Sequence, residues 1–311
     1  MNRDSKIFIA GHTGMLGNAI SKKLREKGFN NLLTVERKSL DLQNKTEVDS
    51  FLNSKKPDII FNAAGKTGGI VANKNYPVDF LQDNLEIQSN LFSLSLKHAV
   101  TYFVFYASSC VYPKLSPQPI KEEYLWQGTI EETSDAYAAA KIAGLIGCKA
   151  YNSQYNKTKF ICLLPNSMYG PFDNFDLNNS HVLSALIRKF HDAKLEQKKE
   201  IQLWGSGSPM REFIFSEDVA DASIFAVENA DKIENKHYNV GSSNDISIKD
   251  LANTIARIVG YEGNIEWDIS KPDGTPRKLL DSKQFLNIGW KPSTSLEKGL
   301  EKTYEWFISN T

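Results

Sequence analysis

The 311-residue chain predicts an α/β fold, a doubly wound parallel sheet with a smaller mixed α/β C-terminal lobe, on three observations. Short β-rich apolar runs alternate with helical stretches through the first half. A glycine-rich turn joins the first run to the first helix. After Leu164 the alternation loosens, and short strands mix with helices. Strands bounded by helices at this spacing close right-handed βαβ units, which assemble as a parallel sheet covered on both faces.

The strands expected in the first half are Lys6–Ala10, Asn31–Val35, Asp58–Asn62, Tyr102–Ala107 and Lys159–Leu164. Between them, helices are expected over Met15–Lys27, Thr46–Asn53, Asp79–His98 and Ala136–Tyr155. Beyond a polar, loop-like stretch at Asn174–Ser180, the sequence predicts helices over Val182–Lys194, Ile248–Val259 and Leu296–Phe307. Short strands are expected at Ile201–Trp204, His237–Val240 and Asn264–Trp267. These patterns divide the chain into a dinucleotide-binding part, 1–165, and a substrate lobe, 166–311, with some segments returning to the first part.

Composition narrows the partners. Lys+Arg and Asp+Glu both number 37, so the formal net charge is zero, which argues against nucleic acid or an anionic membrane as the main partner. The apolar stretch Ile7–Ala10 is too short for a signal-peptide core, and no run approaches the length of a membrane span. Cys110, Cys148 and Cys162 form no CxxC pair and no metal-ligand spacing, so no metal is expected and a reducing cytoplasm is the natural setting.

Gly11-His12-Thr13-Gly14-Met15-Leu16-Gly17 follows a strand and opens a helix, a GxxGxxG variant of the Rossmann dinucleotide fingerprint. Glycine permits the tight turn and lets the backbone approach a pyrophosphate, whose charge then faces the helix N-terminus. Two signals compete over the cofactor. Glu36, 19 residues after Gly17, suits a free ribose 2′-OH, whereas Arg37 suits a 2′-phosphate. Asp41 borders the adenine or is simply solvated.

Tyr137 and Lys141 lie four residues apart on a helix and so share a face. A nearby cation favours phenolate, which lowers a tyrosine's pKa toward proton exchange with a sugar oxygen. An isolated YxxxK is usually a surface pair. Here Ser108 ends the fourth strand on the sheet edge where open α/β folds bind ligands. If that strand persists, Ser108 and Cys110 share a face through the two-residue period. Without the serine, Cys110 would read as a buried structural thiol.

Gly11–Gly17, Ser108, Tyr137 and Lys141 resemble the extended short-chain dehydrogenase/reductase superfamily, and within it the GDP-L-fucose synthase family of GDP-4-keto-6-deoxymannose 3,5-epimerase/4-reductases. The resemblance runs, in family order, through Gly68–Asn73, Ser108–Lys114, Asp173–Phe175, Asn179–Val182, Trp204–Phe213 and Lys271–Asp281, nearly the whole chain.

It implies that Ser108, Tyr137 and Lys141 serve the C4 carbonyl and hydride transfer, while Cys110 and His181 are the acid/base pair of epimerisation. Taken alone, His181 is more often a helix-start residue. The implied dinucleotide contacts are Gly11, Thr13, Gly14, Met15, Leu16 and Gly17, then Arg37, Asp41, Lys141 and His181, with NADP(H) favoured over NAD(H). The implied GDP-sugar contacts are Asn166, Lys189, Trp204, Arg211 and Lys278. A homodimer through the long helices Asp79–His98 and Ala136–Tyr155 is implied as well.

Three positions depart from the family pattern. Thr13 replaces a basic residue, Lys189 replaces an arginine and loses its planar fork, and Pro165-Asn166-Ser167 replaces Pro-Thr-Asn. They leave open a related enzyme or C4-reductase acting on another GDP-4-keto sugar, a 6-deoxy-heptose or dideoxy-sugar. A non-catalytic cofactor-binding sensor on the same fold would be signalled by loss of Tyr137 or Lys141, and both are present.

Overall fold

The computed structural model describes residues 1–177, 179–271 and 273–311. Asn178, in the polar stretch before His181, and Pro272, in the segment Lys271–Asp281, lie outside the described residues.

The chain opens with β1 (Ile7–Ala10), α1 (Met15–Glu26), β2 (Leu32–Leu33), α2 (Lys45–Lys55) and β3 (Ile59–Asn62). Next come α3 (Ile70–Asn75), α4 (Pro77–Lys97), β4 (Tyr102–Tyr106), α5 (Asp135–Gln154) and β5 (Lys159–Pro165). The second half holds β6 (Ser167–Tyr169), α6 (Val182–Leu195), β7 (Glu200–Trp204), β8 (Met210–Phe215), α7 (Ser216–Glu228), β9 (His237–Val240) and β10 (Asp245–Ser247). It closes with α8 (Ile248–Val259), β11 (Asn264–Asp268), β12 (Arg277–Lys278), α9 (Lys283–Leu286) and α10 (Leu296–Asn310).

Six parallel strands form the central sheet in the order β2-β1-β3-β4-β5-β9. Strands β1 and β3 are buried at every position, as a strand covered on both faces must be. One apolar layer joins Leu16, Ile20 and Leu24 of α1 to Val219, Ala222 and Ala226 of α7. The opposite layer gathers Val48 and Leu52 of α2, Leu91 and Phe92 of α4, and Leu145 of α5. Chain order reverses between β1 and β3, so the crevice at their carboxyl ends is the switch point where such folds bind ligands.

The strand expected over Asn31–Val35 shortens to Leu32–Leu33. It is an edge strand whose only neighbour is β1, and only Ile7 and Phe8 meet it in register. Met210–Phe215 and Ser216–Glu228, which the sequence reading left without an element, become β8 and α7. Strand β8 pairs with β6, β10 and β12 in a second, small sheet. A third core packs Leu186 and Phe190 of α6 against Leu251 and Ile255 of α8 and Phe307 of α10. Helix α8 starts where Asp250 N donates to Ser247 Oγ at 3.0 Å and stops at Gly260 with φ +76°. Among the described residues, no helix is long and apolar enough to cross a membrane.

Candidate active site

The loop after β1 is a backbone cradle. Gly11 has φ +80°, and a Cβ there would fall 2.8 Å from the backbone of Ala63, just past β3. A Cβ on Gly17 would fall 2.1 Å from the Gly11 carbonyl oxygen. Gly14, the N-cap of α1, supplies no side chain to its first-turn N–H groups. Those donors and the helix dipole are available to a pyrophosphate, so the residues present fit a dinucleotide. Met15 and Leu16 begin the helix, and Thr13 is exposed at the loop tip.

Beyond β2 the two competing signals separate. Glu36 pairs with Lys38 at 2.7 Å, while Arg37 is exposed and makes no ion pair or side-chain hydrogen bond among the described residues. Asp41 accepts from Gln43 N at 3.1 Å and so shapes its own turn.

At the carboxyl end of β4 the strand stops at Tyr106, and Ser109–Val111 forms a 3-10 turn. The alternation that would have put Ser108 and Cys110 on one strand face is therefore absent. The turn folds Cys110 back instead, and Ser108 acts on both the Cys110 thiol and the Tyr137 phenol, lowering each against its burial. Tyr137 itself is half-buried, with its ring edge-on to Phe80 at 6.1 Å.

Lys141 is buried, its Nζ 5.6 Å from the Tyr137 ring centroid and donating to the Tyr106 carbonyl at 3.1 Å. Burial pulls this ammonium down to about 8, against weaker support from Cys110 and Cys162. The Tyr137 phenol moves the other way from the sequence expectation. Burial raises it, the Cys110 charge adds to that, and only the Ser108 hydrogen bond opposes. Lys141 is not among the groups that act on the phenol; its ammonium donates to the Tyr106 carbonyl. Burial likewise raises the Cys110 thiol, opposed chiefly by Lys278 and then by Ser108 and Lys141.

Arg211 on β8 and Lys278 on β12 are register partners on neighbouring parallel strands. Burial lowers both cations. Arg211 donates only to its neighbour's carbonyl, Met210 O at 2.8 Å, and Lys278's ammonium makes no ion pair or hydrogen bond among the described residues. Two desolvated cations without carboxylate partners suit a polyanion. Farther along, Trp204 is 69% exposed at the end of β7, with Lys189 Nζ 5.9 Å and Lys271 Nζ 5.7 Å from its ring centroid. Sequence reasoning did not single out Lys271.

Asn166 and His181 sit differently from the rest. Asn166 is buried, and its Nδ2 donates to Glu212 Oε2 at 2.5 Å, while its Oδ1 has no protein partner. His181 is the exposed N-cap of α6 and makes no side-chain cap bond. Its loop docks where Gly69 N donates to Asn179 O at 3.0 Å, just before α3. Its charge acts on Asp173, whose carboxylate accepts from Ser184 Oγ in the first turn of α6. Among the described residues no direct contact joins His181 to Cys110, Ser108 or Tyr137.

The family described as "NAD dependent epimerase/dehydratase family" matches residues 7–241. The chain belongs to the NAD-dependent epimerase/dehydratase family. Within that family it is 45% identical over 309 residues to GDP-L-fucose synthase 1 of Arabidopsis thaliana, covering 99% of this chain and 95% of that one. It is 46% identical to GDP-L-fucose synthase of Escherichia coli (strain K12), covering 98% and 97%. Among solved structures, a GDP-mannoheptose C4 reductase from Campylobacter jejuni with NADP bound superimposes with a TM-score of 0.90 at 39% identity, covering 99% of each chain.

Proposed function

We propose that this family member is a bifunctional epimerase/reductase that converts GDP-4-keto-6-deoxy-D-mannose to GDP-L-fucose with NADPH. The observation that carries the reading is Ser108, which lowers both the phenol of Tyr137 and the thiol of Cys110 against their burial. One residue thus acts on the group a reduction needs and on the group an epimerisation needs. Identity of 45% and 46% to GDP-L-fucose synthases over nearly full length supports the same substrate.

The 4-keto group acidifies the C–H bonds at C3 and C5. Ser108 and Tyr137 hydrogen-bond the C4 oxygen and stabilise the enolate that forms on proton loss. Cys110 and His181 are the acid/base pair; inversion requires that one remove the proton and the other return it on the opposite face. Lys278 and Ser108 pull the Cys110 thiol down toward thiolate against its burial. In the second stage Tyr137 gives its proton to the C4 oxygen, and Lys141 holds the site's positive charge. The nicotinamide, when bound, supplies the hydride to C4.

Residues 1–165 supply the dinucleotide site through Gly11–Gly17, with Arg37 reading the 2′-phosphate because Lys38 already occupies Glu36. That assignment favours NADPH over NADH. Residues 166–311 supply the GDP side: Arg211 and Lys278 at the diphosphate, Trp204 and Lys189 at the nucleoside. Asn166 is assigned to the sugar side of the site, where its amide is held by Glu212. The protein acts in the cytoplasm as a homodimer packed through α4 and α5, where Ile146 is 39% exposed.

A C4-reductase acting on a GDP-heptose is the second reading, favoured by the Campylobacter jejuni neighbour and by Lys189 in place of an arginine. The test is loss of reduced-nicotinamide absorbance with either GDP-4-keto-6-deoxymannose or a GDP-4-keto-heptose. Oxidation of NADPH with the first, yielding GDP-L-fucose, is expected. Oxidation with the heptose alone moves the assignment to the second reading.

A further inference from the structure

Behind the turn that carries Cys110 lies a buried polar cluster that the proposed chemistry does not use. Tyr112 ends the turn and is 3% exposed; its Oη donates to Asn239 Oδ1 at 2.6 Å and lies 3.0 Å from His237 Nε2. Asn239 is fully buried, and its Nδ2 donates to two carbonyls, Ile120 O at 3.0 Å and Asp281 O at 3.2 Å. Its backbone N–H donates to Glu122 Oε1 at 3.1 Å, and Glu122 Oε2 accepts from Gln284 Nε2 at 3.0 Å. Ile120 in turn bonds the chain just past β12, donating to Leu279 O at 2.7 Å and accepting from Asp281 N at 2.8 Å. A single amide therefore ties together the Cys110 turn, the last strand of the central sheet and the segment that follows Lys278.

The turn has few backbone bonds of its own, although Val111 is packed into the core. Val111 N donates to Ser108 O at 3.1 Å, and Tyr112 N reaches Ser109 O only at 3.4 Å. On the strand side, Ala107 N, just before Ser108, donates to Leu163 O at 2.9 Å. Tyr137 and Lys141 ride on α5. Tyr112 thus gives the Cys110 turn an anchor that Tyr137 and Lys141, on α5, do not share. A buried network of this kind is stiff only when every member is satisfied, and both amide hydrogens of Asn239 are engaged.

We propose that Tyr112 and Asn239 are positioning residues for the epimerisation, fixing Cys110 relative to the strand that carries Lys278. The inference rests on the role of Cys110 proposed above.

Tyr112→Phe in the full chain removes one hydroxyl and keeps the ring. Deuterium wash-in at C3 and C5 of GDP-4-keto-6-deoxymannose in D2O is read by NMR. Reduction of the already epimerised 4-keto sugar by NADPH is read separately. The expected result is a fall on the order of tenfold or more in kcat for wash-in, with KM little changed and the ratio of wash-in to reduction falling in step. Equal losses in both assays, or wash-in within about twofold of the parent, overturn the proposal. Should Tyr112→Phe fail to fold, Asn239→Asp keeps the acceptor for Tyr112 but loses the amide donors, and it is read by the same ratio. A parent protein that reduces the epimerised sugar yet shows no wash-in overturns the role of Cys110 itself, and with it the inference.

Discussion

Asn166 and Glu212 meet across the join between the central sheet and the small one, the amide Nδ2 donating to the carboxylate at 2.5 Å with both side chains out of solvent. Glu212 also accepts from Leu280 N at 3.0 Å and Ser243 N at 2.7 Å. It thereby holds β8, which carries Arg211, to the end of β5 and to the segment following Lys278. Glu212→Gln places an NH2 group against at least one of these donors. The variant should lose about 1–3 kcal/mol of unfolding free energy in urea titrations. An unchanged midpoint would show that the clasp does not hold the two sheets together.

Burial of Lys141 gives a pH-dependent stability. Its folded value is about 8 against 10.5 for an exposed lysine. Between those values the unfolded chain still binds a proton that the folded one has released, so raising the pH across that window favours the fold. Lys141→Met has no such group. The stability of the parent relative to Lys141→Met should therefore rise from about pH 8 to about pH 10.5 in cofactor-free protein, measured by urea unfolding at each pH. A gap that stays constant would mean that the ammonium keeps its proton in the fold.

Two substitutions test the stages proposed for the reaction. Tyr137→Phe keeps the ring against Phe80 but removes the acid, and NADPH oxidation should fall about 10²–10⁴-fold while cofactor still binds. Cys110→Ala should block the route from the mannose-configured substrate and leave reduction of the epimerised sugar largely intact. Equal loss of both activities in Cys110→Ala would assign the thiol a packing role.

The proposed preference for NADPH rests on Arg37. With Glu36 held by Lys38 at 2.7 Å, that proposal gives the arginine a 2′-phosphate without a competing acid. Fluorescence titration of Arg37→Ala should show NADPH binding weakened on the order of tenfold, a charge-assisted pair being lost, and NADH binding unaffected. Equal weakening of both dinucleotides would place Arg37 away from the 2′ position.

The parts legible in the sequence were those set by local spacing. The Gly11–Gly17 loop declares itself because its φ and close approaches admit only glycine. Tyr137 and Lys141 do so because four residues make one helical turn. Helix α8 was legible to the residue, since Ser247 and Gly260 cap it at either end. What was not legible depends on distant partners. Nothing local marks Asn166 as the mate of Glu212, 46 residues away. Nothing marks Tyr112 as bonded to Asn239 either, 127 residues away. Strand β8 is read with difficulty because its motif, Met210–Phe215, mixes two charges into a strand whose final four residues are all buried. Those charges become intelligible only when β12 brings Lys278 beside Arg211 and the core closes over Glu212.

The most direct test of the account is a complete turnover in D2O. The protein is given GDP-4-keto-6-deoxy-D-mannose and NADPH, absorbance is followed, and the product is identified by NMR. The account predicts NADPH oxidation with GDP-L-fucose as product, carrying deuterium at C3 and C5. A product reduced at C4 without deuterium at either carbon, or no oxidation at all, would contradict it.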